Sequence, residues 1–238
     1  MVYMGSKSRF ASEMLPTILE NRKPDQWYVE PFAGGMNMIC NVGGNRIAND
    51  LHTPLIEMWK ALVNGWEPVH YTEEDYNYIK NNQNDFELYE LGWAGFVCAF
   101  KGLYFSGYAR DYYNESLGRC VDRLSQNYNW ILKQVDSMRG VQFSNCNYYD
   151  LEIPPNSIVY CDPPYIDTTG YSVGGFDHDK FWDWVRGLDD AGHIVFVSEY
   201  VAPDDFHCVW RKEVKNNFGD RSGSSIEKLF KRGEFSWL

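Results

Sequence analysis

The sequence predicts an α/β fold, a mostly parallel doubly wound sheet carrying an inserted helical subdomain. Three observations predict it. Between Trp27 and Leu62 the chain reads as strand, glycine turn, helix, strand ending in an acid, and helix, which is how such a sheet opens. From Glu67 to Arg139 that rhythm stops, and helical patterns follow one another without strands between them. Strand-like runs then return at Val141-Gln142-Phe143, Ser157 to Cys161 and His193 to Val197. The sheet-forming unit is therefore expected over residues 1–66 and 140–238, with 67–139 inserted between its halves.

Taken in order, Phe10, Met14, Leu15, Ile18 and Leu19 recur at helical spacing between Lys7 and Glu20, with a break or kink expected at Pro16. Trp27-Tyr28-Val29 is a short strand running into Pro31-Phe32-Ala33-Gly34-Gly35, after which Met36 to Cys40 is expected to open a helix. Arg46-Ile47-Ala48 is the next strand and ends at Asn49-Asp50. Leu55, Met58, Trp59 and Leu62 give the following helix one apolar stripe. The insertion, rich in tyrosine, asparagine and glycine, holds helices near Thr72 to Asn82, Phe86 to Phe100 and Leu117 to Val135. A helix from His178 to Leu188 separates the last two parallel strands, and Phe206 to Trp210 with Lys228 to Phe230 forms a closing antiparallel pair.

At 238 residues and 44% hydrophobic composition the chain can build one sizeable core. No apolar run is long enough to cross a membrane, and Met1 to Lys7 carries no signal-peptide hydrophobic region, so a cytoplasmic protein without membrane contact is expected. The six cysteines show no C-x-x-C pair or histidine at metal spacing and read as free thiols. No metal site is expected; Asp177-His178-Asp179 reads as a helix cap with solvated neighbours. The formal net charge of −11 argues against a nucleic-acid binder, but the charge is unevenly spread. Glu67 to Glu90 is acidic, Lys101, Arg110, Arg119, Arg123, Lys133 and Arg139 follow, and Arg211 to Arg232 is again basic, which accommodates either a basic groove or a merely solvated surface.

Asp162-Pro163-Pro164-Tyr165, directly after Ile158-Val159-Tyr160, sets a carboxylate, a stiff backbone and an aromatic ring at the mouth of a strand. Each proline fixes φ near −65° and removes an N–H, so nearby carbonyls can point outward, toward a ligand with N–H groups and a flat face. Gly34 and Gly35 let the backbone approach a ligand, but Phe32-Ala33-Gly34-Gly35 is not G-x-G-x-x-G and argues against a nicotinamide dinucleotide. Asp50 stands where doubly wound folds bind ribose hydroxyls, or it caps the helix starting near His52.

Together these segments resemble the S-adenosylmethionine-dependent amino-group DNA methyltransferases, most closely the Dam-like N6-adenine branch, the D12 class. Five elements stand in that family's order. Tyr3-Met4-Gly5-Ser6-Lys7 looks like its aromatic-x-G-x-K element, Pro31 to Gly35 like its cofactor loop, Asp50 like its ribose acid, Asp150 like the acid at the cofactor's adenine, and Asp162 to Tyr165 like its signature tetrapeptide. The resemblance implies a Rossmann-like methyltransferase with S-adenosylmethionine as cofactor and double-stranded DNA as partner. It implies cofactor contacts from Tyr3, Lys7, Phe32, Gly34, Asp50, Asp150 and Asp162, and target recognition by the 67–139 insertion. A monomer is the expected state.

The chemistry suits the tetrapeptide. The adenine amine is a poor nucleophile because its lone pair is delocalised, and acceptors that hold its hydrogens as nitrogen becomes tetrahedral favour the transition state. Asp162 and the Pro163 carbonyl supply them, with Pro164 stiffening the turn, and in-line transfer then needs proximity and orientation. Tyr165 either stacks on a base swung out of the duplex or packs behind the turn. In Phe100 to Arg110 aromatic and basic residues interleave, so Lys101, Tyr108 and Arg110 contact DNA, or the rings form the insertion's core.

Other chemistries fit the sequence less well. Gly170-Tyr171-Ser172-Val173-Gly174 satisfies G-x-S-x-G with Asp189 and His193 following, the pattern of a serine hydrolase, but no strand leads directly into it. A C5-cytosine enzyme needs a nucleophilic cysteine after proline, and Cys161 instead precedes Asp162. N4-cytosine enzymes usually carry serine where Asp162 stands. A non-enzymatic binding relic is disfavoured because every catalytic position is filled by a competent residue. Ser198-Glu199-Tyr200, at the sheet's ligand-binding edge, is placed to line a base pocket.

Overall fold

The computed structural model describes residues 1–164, 176–218 and 221–233. Helix α1, Ala11–Leu19, runs without interruption through Pro16 and buries Ala11, Met14, Leu15 and Ile18. Strand β1, Tyr28–Glu30, is buried at every position, as a strand must be when helices cover both faces of its sheet. The helix expected from Met36 does not form. Met36 has φ 58° and its N–H bonds back to the Ala33 carbonyl, so the chain turns and makes only a single 3₁₀ turn, Ile39–Asn41. Strand β2, Arg46–Asn49, and helix α2, Thr53–Val63, follow, the latter with proline in its first turn, where the missing N–H costs nothing.

In the insertion, α3, Glu73–Asn81, opens with a reciprocal Thr72–Asp75 capping box. The helix expected over 86–100 is broken into α4, Leu88–Gly92, a π-helical stretch, Trp93–Val97, and a 3₁₀ turn, Phe100–Gly102. Close packing accounts for α4's position: a Cβ on Gly92 would lie 2.1 Å from the Pro54 carbonyl oxygen of α2. The insertion also contains strands, contrary to the sequence reading, in the hairpin β3, Tyr112–Asn114, and β4, Arg119–Val121. The hairpin uses residues expected to be helical, so α5 starts only at Arg123, where the Asp122 carboxylate accepts the Ser125 N–H, and runs to Met138. Residues 67–139 do not pack as a separate body: Tyr76, Trp93, Phe96 and Ile131 share one core with Met14 and Tyr28.

Strands β5, Val141–Ser144, and β6, Ile158–Cys161, helix α6, His178–Asp190, and strand β7, Ile194–Ser198, complete the parallel part. The closing pair is longer than its alternation suggested, β8 spanning Phe206–Phe218 and β9 Arg221–Arg232. The sheet order is β5-β2-β1-β6-β7-β9-β8, parallel through β7 and antiparallel after it. Side chains alternate between two cores: Ile158 and Tyr160 pack with α1, α2 and the insertion, and Val159 and Cys161 pack with Phe181, Trp182 and Val185 of α6. From β1 the chain winds outward to β2 and β5, then returns to β6 on β1's other side. That reversal is the topological switch point, where open α/β sheets bind ligands beyond the strand ends.

Candidate active site

Two loops leave neighbouring strands at the switch point, Pro31 to Gly35 after β1 and Asp162 to Pro164 after β6. The first is fixed from beneath by Asn49, whose side chain donates to the Pro31 and Cys146 carbonyls, each at 3.0 Å, and accepts the Cys146 N–H at 3.1 Å. Asp50 secures the loop's tip: one carboxylate oxygen accepts the Gly34 N–H and the other the His52 N–H, both at 2.9 Å. Burial pushes the Asp50 carboxyl up, and the backbone N–H groups of His52, Gly34 and Leu51 oppose that shift. Asp50 thus braces the glycine loop and the entry to α2 together.

The glycines serve packing within the protein. Gly34 has φ 46°, and a Cβ there would lie 2.8 Å from the Tyr3 ring; one on Gly35 would lie 2.6 Å from the Tyr3 Cβ. Tyr3 covers the loop on that side and tilts against Phe96 of the insertion at 5.7 Å between ring centroids.

Around the second loop charge is buried. The Lys7 ammonium lies 3.0 Å from Asp162 Oδ1, 3.2 Å from the Gly5 carbonyl and 3.9 Å from Glu227 Oε2. Behind these groups the Tyr28 hydroxyl donates to Glu30 at 2.8 Å, and Tyr160 pairs with Ser198 at 2.8 Å. Burial raises the Glu30 carboxyl to about 8, opposed by the Tyr28 hydrogen bond and reinforced by the charge of Asp162. Cys161 is fully buried, and burial, then the charge of Asp162, pushes its thiol well above the ordinary range. Enclosed in the core, its sulfur is not presented to a substrate as the nucleophile of a C5-cytosine mechanism must be.

Residues 3–186 match the model of the D12 class N6 adenine-specific DNA methyltransferases. The chain belongs to that family. It is 26% identical over 228 residues to the type II methyltransferase M.FokI of Planomicrobium okeanokoites, a match covering 84% of this chain and 34% of that protein. It is 24% identical over 208 residues to the modification methylase StsI of Streptococcus sanguinis, covering 76% of this chain and 30% of that protein. The chain therefore spans about a third of the length of these curated relatives.

In this D12-class chain the structure brings Tyr3, Lys7, Gly34, Asp50 and Asp162 to one edge of the sheet. Phe32 lies beside them in an aromatic cluster, 5.2 Å from Tyr148 and 5.8 Å from Phe181. Asp150 is exposed at the end of the 3₁₀ turn Tyr148–Asp150. Pro163 is buried and Pro164 half-buried, while Tyr165 lies outside the described residues. Ser172 lies outside them too, and its supposed partners are engaged elsewhere. His193 sits at the opposite end of β7 and accepts the Ser157 N–H at 3.2 Å, and Asp189 lies 3.5 Å from Arg232. Asp177 accepts the Lys180 N–H as a helix cap. Among the described residues no cluster suited to a metal ion occurs, and no helix is long and apolar enough to cross a membrane.

The insertion residues are distributed differently. Tyr108 packs against Tyr76 and its hydroxyl donates to the Tyr71 carbonyl at 2.8 Å, so it belongs to the insertion's core. Arg110 is exposed and forks onto Glu73. Lys101, at φ 58°, stands over the Phe100 ring. Arg123, not singled out by its motif context, lies over both Phe100 and Tyr112, at 5.0 and 4.4 Å, on the wall of a cavity of about 450 Å³ that also borders Glu73 and Arg110. Glu227 and Glu30 were missed as well. Both had a signal, an acid on a buried face: Glu30 within Tyr28-Val29-Glu30, and Glu227 two residues before the buried Leu229 on an alternating strand.

Proposed function

We propose that this chain transfers the methyl group of S-adenosylmethionine to the N6 amine of an adenine flipped out of double-stranded DNA. The observation that carries this reading is Asp162, a carboxylate at the switch point of a D12-class fold, paired with a buried lysine and followed by two prolines. The cofactor fits the residues present. Asp162 brings a carboxylate to the switch point, which suits a sulfonium cation, and Asp50 offers an enclosed carboxylate beside the Gly34 loop for ribose hydroxyls. Leu51, 60% exposed between Asp50 and His52, adds apolar surface for an adenine ring.

The bound cofactor supplies an activated methyl group. Asp162 and the Pro163 carbonyl accept the amine's hydrogens and turn its developing lone pair toward that methyl, a stabilisation that grows as the nitrogen becomes tetrahedral. Buried Glu30, Tyr28, Tyr160 and Ser198 exclude water and hold β1, β6 and β7 in place behind the turn. Tyr165 stacks on the flipped base, and Lys101, Arg110 and the ring-backed Arg123 meet DNA from the insertion. The protein acts in the cytoplasm, as a monomer.

Incubation with tritiated cofactor and duplex DNA, followed by nucleoside digestion and chromatography, tests the reading. Label is expected in N6-methyladenosine. Label confined to N4-methylcytosine, or absent from DNA while cofactor binding is intact, overturns it.

A further inference from the structure

We propose that Glu227, on the antiparallel strand β9, is a positioning residue for methyl transfer, acting through Lys7 on Asp162; this rests on the methyltransferase reading above. Glu227 lies outside the span matched by the family model, which ends at residue 186. It is 8% exposed and faces inward with Leu229, whereas its neighbours Ile226 and Lys228 point away from the core.

Its cross-strand partner does not neutralise it. Lys212 stands opposite Glu227 in the β8–β9 register, but the Lys212 ammonium is bound to Glu13 of α1. Glu227 meets Lys7, from a segment more than two hundred residues away in sequence. The Tyr200 phenol borders the same group, raised first by its burial and then by the charge of Glu227.

The Lys7 ammonium hydrogen-bonds the Gly5 carbonyl at 3.2 Å and lies 3.0 Å from Asp162 Oδ1, and Glu227 Oε2 stands at 3.9 Å, at ion-pair but not hydrogen-bond distance. A carboxylate that must accept amine hydrogens in the transition state is weakened when a buried cation moves fully onto it. Glu227 draws the ammonium the other way, so Lys7 orients Asp162 through one oxygen while Asp162 keeps acceptor strength for the amine. Glu227 touches no reacting atom in this account. Its effect belongs to the chemical step, not to cofactor capture.

The test compares the parent with Glu227→Gln, Glu227→Asp, Lys7→Met and the Glu227→Gln/Lys7→Met double variant, in single-turnover transfer with saturating DNA and cofactor. For Glu227→Gln the expected result is a rate lowered about tenfold, with Kd for cofactor and for DNA within about threefold of the parent. Glu227→Asp restores most of the rate, and adding Glu227→Gln to Lys7→Met causes no further loss, because two residues acting as one unit are not additive. A parent rate in Glu227→Gln, a loss of cofactor affinity matching the loss of rate, or additive losses in the double variant overturns the proposal. If Glu227→Gln does not fold, Glu227→Ala takes its place: a lowered rate at unchanged affinities supports the role, and a parent rate rejects it. A parent that transfers no methyl group fails the underlying reading instead, so the two failures are distinguishable.

Discussion

The switch-point edge of the sheet and the surface of the insertion both carry paired charges, but in opposite settings. Lys7 and Asp162 are 7% and 20% exposed, whereas Arg110 and Glu73 are 73% and 39% exposed. A buried pair cannot lose one member without leaving the other uncompensated in a poorly solvated place, so its geometry is held for a purpose or lost altogether. An exposed pair is screened by salt and solvated when broken, so Arg110 can leave Glu73 at little cost. The first region can hold a fixed geometry. The second can rearrange.

The largest effect that separates the two regions is expected from Asp162→Ala. Transfer should fall by at least about a thousandfold, since the amine loses its charged acceptor, while Arg110→Ala keeps the parent rate at saturating DNA. A transfer assay run on both variants breaks the comparison if Arg110→Ala proves the more damaging. Next comes the glycine loop. Gly35→Val places a side chain 2.6 Å from both Tyr3 and Asn37, and the overpacking should cost about 1–3 kcal/mol of stability and weaken cofactor binding at least about tenfold. Calorimetric titration with S-adenosylhomocysteine and a urea melt measure the two effects, and an unchanged midpoint would show that the loop yields.

A smaller effect tests burial itself. The Glu30 carboxyl is raised to about 8 in the folded chain from 4.5, so between those values the native state holds a proton that the unfolded chain has released. Its favourable contribution is complete below pH 4.5 and is lost as pH rises toward 8. The Tm of the parent relative to Glu30→Gln should therefore drop by roughly 10 °C between pH 5 and pH 8, read by calorimetry. Equal slopes for the two proteins would show that Glu30 is solvated. The smallest effect concerns the surface pair. Glu73→Gln should leave Tm unchanged and tighten DNA binding about twofold at low salt by releasing Arg110, a gain that vanishes as salt is raised.

The sheet and its ligand edge were legible because parallel strands leave a strong signature: apolar runs interrupted by Pro31-Phe32-Ala33-Gly34-Gly35 and Asp162-Pro163-Pro164, residues that only loops at strand ends tolerate. The helix expected at Met36 failed because apolar periodicity over five residues cannot distinguish a helix from a turn held by Asp50 and Asn49, both fixed by long-range hydrogen bonds. The hairpin at 112–121 was hidden for a similar reason. Its strands are short and largely exposed, and they lack the alternation that a buried face imposes. The sequence left Tyr108 open between a DNA contact and the insertion's core, because its partners Tyr71 and Tyr76 lie more than thirty residues earlier and no local pattern names them. Glu227 was overlooked because its meaning depends on Lys7, at the other end of the chain.

The Tyr3 ring occupies the space that Gly34 and Gly35 leave, and the adjoining backbone does the same for the insertion: a Cβ on Gly102, at φ 64°, would lie 2.3 Å from the Val2 carbonyl oxygen. Residues 2 and 3 are thus clamped between the glycine loop and the insertion. An insertion transplanted from a relative into this scaffold will fit only if it brings glycine to that position. Otherwise the graft pushes Tyr3 off the loop, and a swap meant to change which DNA is read is paid for in cofactor affinity.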